Sequence, residues 1–217
     1  MDTAKLSSGT AIMVSLKEQL NAFSAVNAPA DLTTIHLETS LKRFGPVTRN
    51  TFETFKDALA YLLPIKSFTT RYVILGLDGW SLIVTDMRGA ICYVEAYGIS
   101  RIAGYRAIGV VLNEQRRELH VFEGGKKLRQ VQSERDGDRW YFREEGALLT
   151  FEDPEEYTRK QQQDRLRVSA VIKYFRNYTG LDVPDWSQTK FTKFWGLERS
   201  TKDLLVPIIQ FDTRFDL

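Results

Sequence analysis

The chain has 217 residues, 43% of them hydrophobic, with 30 Lys and Arg against 28 Asp and Glu for a net charge of +2. That length suits one large domain, and the near-balance of charge gives no whole-molecule field toward nucleic acid or an acidic membrane. A single cysteine, Cys92, excludes an internal disulfide framework and suits a reducing compartment.

No run approaches the roughly 20 apolar residues of a membrane span. The opening MDTAKLSSGTAIMVSL lacks the compact apolar core of a secretory signal, so the expected localisation is cytoplasmic. Residues 1–10 are small and polar and are expected to fray. Over 11–26 the apolar Ile12, Leu16, Leu20 and Phe23 fall on one helical face, which predicts a helix ended by Asn27-Ala28-Pro29. Weak alternation over 33–38 predicts a short strand, and Gly45-Pro46 a turn. A second amphipathic helix is predicted over 51–63, with Phe52, Phe55, Leu59 and Leu62 on one side and Pro64 as its stop.

The centre of the chain reads as successive strands at 72–77, 81–85, 107–112 and 118–122, with a ribbon over 128–143. They are punctuated by Asp78-Gly79, Arg88-Gly89, Gly124-Gly125 and Asp136-Gly137. The first two strands are almost wholly apolar, which predicts cover on both faces near the middle of the sheet. Between them and residue 107, a strand over 91–95 and a short helix over 97–103, ended by Gly104, would make the sheet locally mixed. The fold class predicted is α+β: a central, mostly antiparallel sheet with amphipathic helices packed on it, in a single domain.

Residues 114–145 carry eight basic side chains against eight acidic ones, with Leu119, Val121, Leu128, Val131, Trp140 and Phe142 between them. This predicts a half-solvated ribbon laced by cross-strand charge pairs. Asp153-Pro154-Glu155-Glu156 then combines an N-cap carboxylate, a first-turn proline and a glutamate three residues after the cap. It predicts one long helix over 154–178 ended by Gly180, whose polar first half, 158–167, projects from the body or meets a partner. The tail, 182–217, is expected to return as an edge strand over 204–211.

Chemistry-bearing motifs are sparse. His36 and His120 are far apart and Cys92 has no spaced partner, so neither a metal site nor a cofactor is called for. His120 alternates with Leu119 and Val121, which reads as a surface or network histidine rather than a base. Cys92 lies in an apolar run, as a buried inert thiol would. Gly124-Gly125-Lys126-Lys127 reads as a hairpin tip rather than a phosphate loop. A basic ribbon (Arg116, Arg117, Lys126, Lys127, Arg129) with aromatics nearby could track nucleic acid, but interleaved acids oppose that. Asp78, Asp86, Arg88 and Glu95 fall at strand ends and would form a polar pocket if those ends converge; the alternative is ordinary turn residues paired with one another.

Two stretches, GWSLIVTDMRGAICYVEAYGISRIAG (79–104) and DRWYFREEGALLTFEDPEEYTRKQQQDRL (138–166), together with Arg129 and Val131, resemble small uncharacterised bacterial proteins of toxin-immunity neighbourhoods. The resemblance covers about half the chain, brings no catalytic residues with it, and implies a protein partner. The near-neutral charge departs from the strongly acidic immunity proteins that mask basic nucleases. The function expected is a non-enzymatic protein-binding module, an immunity protein that neutralises a toxin by direct contact through Asp153, Glu155, Glu156, Arg159 and Lys160. Two alternatives stay open: a nucleotide or small-molecule enzyme or sensor built on Asp78, Asp86, Arg88 and Glu95, and a nucleic-acid binder using the basic ribbon.

Overall fold

The computed structural model describes residues 20–63, 68–86, 93–182 and 189–200. Four expectations lie outside them: the frayed start with the leading part of the first helix, the Arg88-Gly89 turn, the thiol of Cys92, and the strand over 204–211.

Among the described residues nine strands form one sheet, antiparallel at every pairing: β1 (Ala22–Val26), β2 (Val47–Thr51), β3 (Thr69–Gly76), β4 (Ser81–Thr85), β5 (Ala107–Asn113), β6 (Arg116–Glu123), β7 (Lys126–Asp136), β8 (Arg139–Glu145) and β9 (Lys193–Ser200). Their order is β2-β9-β3-β4-β1-β5-β6-β7-β8. Five α-helical segments accompany it: α1 (Ala30–Leu41), α2 (Phe55–Tyr61), α3 (Tyr93–Ala103), the single turn α4 (Pro154–Tyr157) and α5 (Val168–Thr179). The α+β architecture is therefore as expected, and the sheet is antiparallel rather than mixed.

Alternation along the strands divides the core in two. On one face Phe23, Val73, Leu75, Leu82, Val84, Ile108, Val110, Leu119, Val121 and Val131 meet α2, α5, Tyr157 and Leu166. On the other, Val26, Tyr72, Ile74, Ile83, Ala107, Phe122 and Leu197 meet α1 and α3. Strands covered on both sides read as continuous apolar runs. That fits β3 and β4, whose residues are almost all buried.

The same rule explains the first misreading. Residues 22–26 are not the end of a helix but β1, buried at every position between β4 and β5. Phe23 falls in step with a helical face only because a doubly covered strand places apolar residues everywhere. The predicted strand over 33–38 is the middle of α1. There Thr34 donates its hydroxyl back to the Ala30 carbonyl at 2.7 Å and Thr33 meets Ser81 at 2.7 Å, so both β-branched residues are satisfied inside a buried helix. The strand expected over 91–95 is replaced, from Tyr93 on, by the start of α3.

The single long helix over 154–178 is broken. Asp153 caps α4 as expected, its carboxylate accepting from the Glu155 amide at 3.0 Å. The chain leaves the helix at Thr158, makes a 3₁₀ turn (Gln162–Asp164), and re-enters helix only at Val168. Glu156 is the cause: its carboxylate takes the Arg167 backbone N–H, Nε and Nη2, each at 2.9 Å, which requires residue 167 to fold back beside 156. In a continuous helix those residues would lie about 16 Å apart. Leu166, at φ 54° and fully buried, makes the reversal.

From the carboxyl-terminal part, β9 inserts between β2 and β3, one strand in from the edge. No helix among the described residues is long and apolar enough to cross a membrane.

Candidate functional site

Of the expected polar pocket, Arg88 lies outside the described residues, and the structure separates Asp78, Asp86 and Glu95. Asp78 is exposed in the turn that closes β3 and β4, whereas Asp86 follows β4 at its far end. Asp86 is buried on the α2 side, its Oδ1 accepting from the Arg71 amide at 3.1 Å, and burial pushes its pKa up. Glu95 starts α3 on the opposite face, where Tyr72 donates to it; burial likewise raises its pKa. A strand-end alignment read from sequence does not bring side chains together when the sheet lies between them.

The charged ribbon is less solvated than expected. Arg117, Glu118, His120 and Arg129 are all buried. Of the five cations considered for nucleic acid, Arg116 bonds Glu118 at 2.6 Å, Lys127 bonds Glu145 at 2.6 Å, and Arg129 bonds Glu144 at 2.7 Å. Arg117 spends its terminal nitrogens on carbonyls, which leaves Lys126 alone of the five without a partner for its side chain among the described residues. His120 is a network histidine: Nε2 lies 3.0 Å from Glu118, and the ring stacks on Tyr93 at 4.3 Å. Arg116 and His120 together hold the Glu118 carboxyl below its ordinary pKa despite its burial. No group of three His, Cys, Asp or Glu side chains among the described residues is arranged to hold a metal ion.

A different place gathers chemistry. Where β6 and β8 begin, beside the segment joining α4 to α5, an open groove of about 490 Å³ is lined by Glu114, Arg117, Trp140, Gln163, Asp164, Arg167, Val168 and Ser169. Strand β6 places Arg117 on the face opposite His120, and β8 brings Trp140 alongside. The Arg117 guanidinium lies 4.4 Å above the Trp140 ring. Its Nη1 donates to the Gln163 carbonyl and Nη2 to the Glu114 carbonyl, both at 2.8 Å. One step along β8, Arg165 sits 5.4 Å over Phe142, and its Nε holds the Arg159 carbonyl at 2.8 Å. The segment over 158–167 is therefore pinned by three arginines (117, 165 and 167) rather than projecting.

Of the expected partner residues, Glu156 is joined to this groove through Arg167. Asp153, Glu155, Glu156, Arg159 and Lys160 cluster in and just after α4. Glu155 and Lys160 are exposed; Glu156 is interior, with 4% of its side chain accessible. Sequence reasoning named Arg117 and Trp140 only as parts of the charged ribbon and a nucleic-acid alternative, and singled out none of Glu114, Asp164 and Arg167, which carry no local signal.

The groove's electrostatics follow from which charges are already bonded. Arg117 and Arg167 are committed to carbonyls and to Glu156. The carboxylates of Glu114 and Asp164 accept no hydrogen bond and form no ion pair among the described residues, although both lie near enough to favour the charge on Arg117. The unspent charge is therefore acidic, beside an aromatic wall that already supports one guanidinium.

Glu156 gives the site a testable acid dependence. Its bonds to Arg167, with Arg159 beside it, hold its pKa below the ordinary glutamate value despite burial. Its stabilisation is thus complete above the unfolded value of about 4.3 and is lost as pH falls through the lower folded value. In urea titrations, Glu156→Gln is expected to unfold earlier than the parent at neutral pH, and the gap should close as pH drops below about 4. A gap constant with pH would mean that the ion pair contributes nothing.

Compared with known proteins, the chain matches no family model, no curated protein and no solved structure.

Proposed function

We propose that this protein is a binding module that grips another protein through the Trp140 groove and the α4 turn joined to it by Arg167, without turnover. The observation that carries the reading is the pairing of a pinned, preformed groove with two unspent carboxylates. Glu114 and Asp164 stand beside Trp140 while both lining arginines are already used. A partner loop presenting Lys or Arg would find ion pairs and an aromatic face in one place, and Trp and Arg dominate binding energy in protein interfaces. Because three arginines hold the wall in place, little ordering entropy remains to be lost on association. The expected docking residues Asp153, Glu155, Arg159 and Lys160 would extend the contact as a polar rim, setting on-rate and specificity.

The resemblance to proteins of toxin-immunity neighbourhoods carries the reading one step further, to an immunity protein that occludes a bacterial toxin by direct contact. The test is co-expression with the product of the adjacent gene. A complex that co-purifies, and a host that survives the neighbour's expression only when this chain is present, are the expected results. If neither complex nor protection appears, the reading is lost.

A further inference from the structure

We propose that two copies of this chain pair antiparallel through the outer edge of β8, centred on Phe142, and so continue the sheet across a two-fold axis. Among the described residues β8 is the last strand of the sheet, with no strand on its outer side. An edge strand presents unpaired backbone donors and acceptors that template pairing unless something blocks them. The chain does not double back along this edge. After Glu145 it turns against β7 at Gly146, which lies under the Leu128 carbonyl.

The side chains select a second copy as the occupant. Arg139, Tyr141, Arg143 and Glu145 alternate on one face of β8 and all are exposed. Neither Arg139 nor Arg143 has an ion-pair partner among the described residues. A two-fold axis normal to the sheet sets residues of like face opposite each other, so the two residue numbers of every pair must share one even sum. With Phe142 opposite Phe142, Arg139 faces Glu145 and Tyr141 faces Arg143, each twice by symmetry; Glu145, which meets Lys127 of its own chain at 2.6 Å through one oxygen, would be shared between the two cations. These are an ion pair and a cation–π pair at directly opposed positions. Sliding two residues one way puts Arg139 opposite Arg143; sliding the other way puts Arg143 opposite its own copy. Of these three registers, which keep most of the strand paired, only that centred on Phe142 is free of like-charge contacts.

The sheet's other edge behaves differently. In β2 the middle residue is Arg49, so self-pairing about the strand's centre would oppose two arginines. Paired about its centre, β8 is self-complementary and β2 is not.

A seven-residue edge buries less surface than a standard stable interface, so the dimer should be of the weak, concentration-dependent kind. The two-fold leaves both Trp140 grooves on one side of the extended sheet, which suits a partner that is itself dimeric.

Sedimentation velocity from about 1 μM to about 1 mM tests this, with charge swaps at the two ends of the strand. The parent chain is expected to shift from monomer to dimer across the range. Arg139→Glu alone and Glu145→Arg alone each place like charges opposite one another twice, and should weaken self-association by at least about tenfold. Mixing the two single variants restores both pairs and should give a heterodimer. The double variant, Arg139→Glu with Glu145→Arg, should dimerise by itself, which also shows that neither change harms the fold. A chain that stays monomeric throughout, or a dimer indifferent to the single swaps, overturns the proposal.

Discussion

Arg129→Ala is expected to destabilise the fold by about 3–5 kcal/mol, the cost of leaving one partner of a buried ion pair without the other. The Arg129 side chain is 2% accessible and that of Glu152 is 0% accessible. Arg129 Nε lies 3.2 and 3.1 Å from the two Glu152 oxygens, Nη1 holds the Gly146 carbonyl at 2.7 Å, and Nη2 holds Glu144 at 2.7 Å. Glu152 also accepts from the Leu149 amide at 2.9 Å and from the Tyr157 hydroxyl. Burial beside that carboxylate keeps the tyrosine protonated and donating. One guanidinium thus ties the end of β8, the connector after it and the start of α4 to β7. Its removal abandons a carboxylate in the interior and frees a carbonyl at once. For a domain of this size the thermal midpoint should fall by about 6–20 °C. Arg135→Ala, which breaks an exposed pair with Asp138 at 3.4 Å, should leave it where it was. Equal effects from the two changes would show that the buried network does not hold the connector.

Gly146→Ala should act on the same hinge by a different physical route. Gly146 has φ 85°, in the region where a side chain is strained, and an added Cβ would stand 2.1 Å from the Leu128 carbonyl oxygen. That obstacle is backbone of β7, held between β6 and β8, and cannot swing aside. Left-handed strain of about 1–2 kcal/mol and overpacking of about 1–3 kcal/mol together give a loss of about 2–5 kcal/mol. Denaturant midpoints measure it directly. Because Arg129 grips the carbonyl of this same glycine, Gly146→Ala and Arg129→Ala should be strongly sub-additive in combination. Gly137→Ala makes the comparison. Its φ of 59° carries the strain, but nothing lies within 4 Å of the added atom, so only the smaller, conformational part of the loss should appear.

What the sequence disclosed follows from the range over which each signal acts. The β3–β4 hairpin, the Asp153-Pro154 start of α4 and the Gly180 stop of α5 are written in neighbouring residues, and each is where local chemistry puts it, whereas the helix expected over 51–63 forms only over Phe55–Tyr61, capped by Thr54, because Thr51 ends β2. β1 and α1 were exchanged in kind because cover on both faces erases the two-residue period in Ala22–Val26. In α1, the buried threonines satisfy their hydroxyls through Ala30 and Ser81, a contact made 48 residues away in the case of Thr33 and Ser81. Helix propensity over 154–178 lost to one tertiary event, the closing of Arg167 onto Glu156.

The groove was invisible for a related reason. Alternation in β6 correctly divides Arg117 from His120, but it cannot say that Tyr93 will cover the histidine or that Gln163 will be tied down over the arginine. Charges that cancel when counted along the ribbon turn out unequal in availability: the arginines are spent and Glu114 and Asp164 are not. That inequality is set by hydrogen bonds between segments some fifty residues apart, and a reading of composition averages it away.

Titration calorimetry of the adjacent gene's product into the wild-type chain and into the Glu114→Lys, Asp164→Lys double variant tests the binding reading most directly. Both positions are exposed, so the fold should survive the change. Saturable binding to wild type, weakened at least about a hundredfold in the double variant, is the predicted outcome. Equal affinity for the two chains, or no heat with either, would contradict it.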